Sequence, residues 1–71
     1  MDRNAQLRHL AAAERHVQLG ERCILDQERC IEELDLHGHD SNLARSVLET
    51  FRQTQAQHVG HRDQILKELA E

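Results

Sequence analysis

The sequence predicts an all-α chain: an antiparallel two-helix hairpin, coiled-coil-like, that pairs with a second copy into a four-helix bundle. Three observations carry this. Ala, Leu, Glu, Arg and Gln dominate a chain with no proline, three glycines and a single aromatic residue, Phe51; these are good helix formers. Apolar residues recur at the alternating three- and four-residue spacing of a coiled-coil seam. Helix-ending residues are concentrated in one short segment, "HGHDSN", at residues 37–42.

The first helix is read from "HLAAAERHVQLGERCILDQER", residues 9–29, which is one seven-residue phrase written three times, with "CIEELDL" following as a fourth. Leu10, Val17, Ile24 and Ile31 occupy one heptad column, taken as a. Ala13, Gly20, Gln27 and Leu34 occupy the d column three residues on. The helix is expected from about residue 4 to about 36, near 48 Å in length at about 1.5 Å per residue. A turn over about residues 37–40 follows. Gly38 suits the left-handed position that ends a helix, and Asp40 or Ser41 can cap the next one.

The second helix is expected over about residues 41–70, completing a single domain across residues 1–71. Ala44, Phe51, His58 and Ile65 form one of its columns, and Leu48, Gln55, Arg62 and Leu69 the other. Gly60 weakens it by about 1 kcal/mol relative to alanine without breaking it. A turn centred near residue 39 pairs residues whose numbers sum to about 78, setting Gly20 against His58 and Ala13 against Ile65.

A hairpin of this size is thin. One small core supplies only about 3–5 kcal/mol. The seam itself includes Gly20, Gln27, Gln55 and Arg62, while Leu7, Leu19, Leu25, Leu36, Val59 and Leu66 fall outside it. Two helices cannot bury so wide an apolar surface. The economical solution is a homodimer of two hairpins with two-fold symmetry. The residues left for contact with a further protein partner are Leu25, Leu36, Val59 and Leu66, with His37, His39 and Asp40 at the turn.

Charge narrows the function classes. Nine basic residues against thirteen acidic give a net charge of −4, and Lys67 is the one lysine. Proteins that bind phosphate backbones gather Lys and Arg into a basic patch, so nucleic acid is not an expected partner. The opening "MDRNAQLRHL" has no apolar signal core, and no run approaches the ~18 apolar residues of a membrane span. The expectation is a cytoplasmic protein with no membrane partner and with reduced thiols.

The candidate chemistry lies in a column of the first helix: His9, His16, Cys23, Cys30 and then His37. Consecutive members are about 10.5 Å apart along the axis. They cannot share one zinc ion, whose ligands sit at about 2.0–2.3 Å. A bridge between Cys23 and Cys30 within the helix fails too, because bridged Cα atoms lie about 4.4–6.8 Å apart. Small, moderately apolar residues bordering a helix–helix seam account for the column. His58 and His61 stand three apart on one face, and His16 falls near His61 across the hairpin. These three make zinc the alternative to a chain without cofactor, although HxxH lacks the glutamate of the metalloprotease motif. "HRD" at residues 61–63 matches a kinase triplet without the lobes that give it meaning. Glu14, Glu21, Glu28 and Asp35 are each a heptad apart, too far to act as a catalytic pair. No nucleophile–base arrangement is present, so the expectation is a non-enzymatic interaction module.

With "AERHV..GER" early, "ELDLHGHD" at the turn and "QAQHVGHRDQILKEL" late, the chain resembles a group of short alphaproteobacterial helical-hairpin proteins of unknown function. The resemblance covers about residues 7–69, and "GHD" followed by "QHVGHRD" is its more specific part. It implies a helical hairpin in a bacterial cytosol and says nothing of mechanism.

Overall fold

The computed structural model of the chain describes residues 2–71. Among them there are two helices and no strand, α1 over Arg3–Leu36 and α2 over Asn42–Ala70. They lie side by side as a hairpin with extents of 54 × 14 × 13 Å. The long dimension is what 34 helical residues give at about 1.5 Å each.

Asp2 caps α1, its carboxylate accepting the Asn4 backbone N–H at 3.0 Å. The other end closes in a Schellman motif. Gly38 takes φ 71°, and this left-handed residue lets the Gly38 N–H donate to the Asp35 carbonyl at 3.2 Å and the His39 N–H to the Leu34 carbonyl at 2.8 Å. The reversal is immediate, so residues 39–41 run back beside the last turn of α1. Ser41 is buried there. Its hydroxyl donates to Asp35 Oδ1 at 2.7 Å and accepts from Arg45 Nε at 3.0 Å, while Arg45 Nη2 reaches Asp35 Oδ2 at 2.6 Å. Ser41 is the N-cap residue by position, but the capping carboxylate is that of Asp40, which accepts the Asn42 N–H at 2.9 Å. The second helix therefore starts at Asn42, one residue later than expected.

Both heptad columns of each helix face the partner helix. Ala13, Val17, Ile31, Leu48 and Ile65 are buried, and the remaining column members are half-buried, from Leu10 through Arg62 to Leu69. The register differs from expectation. Gly20 faces Gln55 rather than His58, and His16 meets His58 rather than His61. The offset is about one helical turn. Its cause is the doubling back after Gly38, which starts α2 a turn below the end of α1 instead of level with it.

Three glutamines bridge the two helices, two of them to backbone carbonyls across the seam. Gln27 Nε2 donates to the Ala44 carbonyl at 2.9 Å, and Gln55 Nε2 donates to the Val17 carbonyl at 2.8 Å. The Gln55 side chain lies in the space over Gly20, where a Cβ would stand 2.6 Å from Gln55 Cδ. A side chain at this position would displace the Gln55 amide from its place over Gly20. At the open end, the Gln6 amide donates to the Glu68 carboxylate, with Gln6 buried.

Candidate functional site

Helical spacing divides the outside of the hairpin into two unlike flanks. On one flank Glu28 pairs with Arg52 at 3.6 Å and Asp35 with Arg45 at 2.6 Å, and Glu14 and Glu21 continue the row on α1. On the other flank α1 presents His9, Ala12, His16, Leu19, Cys23, Asp26 and Cys30, all exposed. These residues recur at three and four, so they form one stripe. Asp26 is its one charged member. The matching stripe on α2 runs from Leu43 through Val47, Thr50, Thr54, Gln57 and His61 to Gln64, without a charged residue. Opposite charges therefore meet on one flank, and nearly uncharged, partly apolar residues fill the other.

At the middle of the uncharged flank is a groove of about 350 Å³, lined by His16, Leu19, Gly20, Cys23, Thr50, Phe51, Thr54, Gln55 and His58. It forms where Gly20 supplies no side chain and Phe51, the one aromatic, stands on the opposite helix. The His16 and His58 rings sit at its rim with centroids 5.4 Å apart and planes tilted by 43°. Neither histidine forms an ion pair among the described residues, whose ion pairs join arginines to carboxylates. Below the groove, Gln55 Oε1 is buried and accepts no hydrogen bond among the described residues. An unpaired buried acceptor of this kind costs about 1–3 kcal/mol.

Of the histidines expected to approach one another, the structure brings together His16 and His58, while His61 is exposed and outside that pair. Within one chain no group of three or more His, Cys, Asp or Glu side chains is placed to hold a metal ion among the described residues. Cys23 and Cys30 are free and exposed.

The expected contact residues fall in several places. Leu36 is 80 % exposed at the end of α1. The His37 and His39 rings stand 6.4 Å apart beside it, the first held by the Glu33 carbonyl at 2.8 Å. Asp40 is committed to capping α2. Leu25 is exposed among Gln18, Glu21, Arg22, Asp26 and Arg29, and Leu66 is exposed on the charged flank with Val59 half-buried near it in sequence. These residues do not make one patch. The groove was not anticipated, yet part of its signal is in the sequence: His16, Leu19 and Cys23 are spaced three and four apart and share a face. Its α2 wall depends on the register and is not readable from the sequence.

Among the described residues, no helix is long and apolar enough to cross a membrane. Comparison with protein-family models, with curated proteins and with solved structures gave no match.

Proposed function

We propose that this chain is a non-enzymatic interaction module of the cytosol, whose first partner is a second copy of itself. The observation that carries the reading is surface. The chain exposes 5493 Å², whereas a globular monomer of 8.3 kDa exposes about 4,600 Å². The excess of about 900 Å² matches the ~800 Å² that each partner gives up in a standard interface. The radius of gyration is 16.3 Å, against about 11 Å for a compact chain of this length. Five buried apolar side chains among the described residues are a small core for so long a molecule, and a second hairpin laid on the uncharged flank enlarges it. Two hairpins joined in this way make an antiparallel four-helix bundle. Leu25, Leu36 and Leu66 lie off that flank, and single exposed leucines need no partner to explain them.

Mass action supplies the test. If folding and pairing are linked, the melting temperature rises with protein concentration. Each tenfold increase adds about 1.4 kcal/mol of association free energy, which is about 3–5 °C for a unit of two such chains. A melting temperature that is flat over a hundredfold range of concentration contradicts the reading.

A further inference from the structure

The repeated column of α1 acquires a meaning when two hairpins are set against each other. α1 runs from Arg3 to Leu36, so its midpoint falls between Leu19 and Gly20, at the groove. A two-fold axis that crosses the hairpin at this level lays α1 antiparallel on the partner's α1, groove on groove. Reversing the column about that point sets His16 against the partner's Cys23 and His9 against the partner's Cys30. A run of His, His, Cys, Cys at heptad spacing becomes, in an antiparallel pair, alternating nitrogen and sulfur ligands facing each other. The stripe is also turned about a right angle away from the α1–α2 seam, the direction in which a square bundle places its second layer.

His16 has a further property that His9 lacks. Its ring lies 5.4 Å, centroid to centroid, from that of His58. Two imidazoles bound through nitrogen to one tetrahedral zinc, at about 2.0–2.1 Å, hold their centroids about 5 Å apart. The centroid spacing is therefore compatible with a shared ion. His9 is held by Gln6 at 3.3 Å instead.

We propose that pairing of two chains completes two equivalent zinc sites, each built from His16 and His58 of one chain and the partner's Cys23, with a water in the fourth position. Two nitrogens and one thiolate sulfur suit zinc. Binding releases the thiol proton to solvent. Phe51 and Leu19 line the same groove. The inference rests on the self-association reading and deepens it: the metal would lock a dimer that apolar contact begins.

The test uses reduced, chelator-stripped full chain titrated with cobalt(II) as the spectroscopic substitute for zinc, with sedimentation run in parallel. The expected result is a thiolate-to-cobalt charge-transfer band that saturates at one ion per chain. Cys23→Ser removes it, His16→Gln and His58→Gln weaken cobalt binding at least tenfold, and Cys30→Ser leaves it unchanged. All four positions are exposed or half-buried, and far-ultraviolet circular dichroism of each variant verifies its fold. The decisive arm mixes two impaired chains at a cobalt concentration where neither alone gives the band. His16→Gln and Cys23→Ser chains, unfolded and refolded together, regain about a quarter of the wild-type signal, since half of the dimers are mixed and each has one intact site. Absence of that recovery, or a charge-transfer band that survives Cys23→Ser, overturns the site. A dimeric mass with no cobalt signal overturns the site while leaving self-association standing; a monomeric mass overturns both.

Discussion

Glycine is used for two different reasons in this chain, and a third glycine has no structural use. Gly38 sits at φ 71°, in the left-handed region that a Cβ disfavours by about 1–2 kcal/mol. Gly38→Ala is therefore expected to destabilise the hairpin by about that amount, read as a lower midpoint in urea. Gly60 lies inside α2, exposed, with nothing within 4 Å of the position its Cβ would take. Gly60→Ala should do the opposite and stabilise by about 1 kcal/mol through helix propensity alone. Gly38 could be assigned to its turn from sequence, because helix periodicity stops there. That Gly20 leaves room for a larger residue opposite is readable from its d position, but the occupant is not: it is Gln55, thirty-five positions away, rather than His58.

At the scale of the elements, the seam follows from the heptad columns and the cross-helix register does not. A repeat of 3.5 residues fixes which side of each helix is apolar wherever its neighbour lies. Each residue of the a and d columns of α1, and of the two seam columns of α2, is buried or half-buried. The register depends on a few atoms at the turn: the Gly38 reversal, the Ser41 hydroxyl on Asp35 and the Arg45 clasp over both. None of these has a period to reveal it. The consequence is specific. Gly20 and Gln55 form a coupled pair, in which the helix gain from Gly20→Ala is offset by displacement of the amide that bonds Val17. In a Gln55→Ala background the full ~1 kcal/mol returns. A double-mutant cycle by chemical denaturation should give a coupling of at least about 0.5 kcal/mol; additivity would mean that the two side chains do not compete for one space.

At the scale of the whole molecule, the hairpin is long and its interior small. Ile65 is one of five buried apolar side chains among the described residues, and truncating such a residue costs about 2–5 kcal/mol. That is of the order of the ~3–5 kcal/mol one small core can supply. Ile65→Ala is expected to lose its helical circular dichroism at micromolar concentration and room temperature. Leu66→Ala, one residue on but exposed on the charged flank, should change stability by less than about 0.5 kcal/mol. The uncharged flank was only partly legible before the fold was known. One helix shows half of it, and the other half is supplied by a register that the turn decides. The proposed pairing with a second copy rests on charge segregation between the two flanks, the central groove and the surplus surface.

Sedimentation equilibrium on the reduced protein tests that claim most directly. The expected mass is twice the 8.3 kDa of one chain, falling toward the single-chain value when Leu19→Glu places a charge in the groove. A wild-type chain that sediments as a monomer across the micromolar range, folded and with its uncharged flank open to solvent, would contradict it.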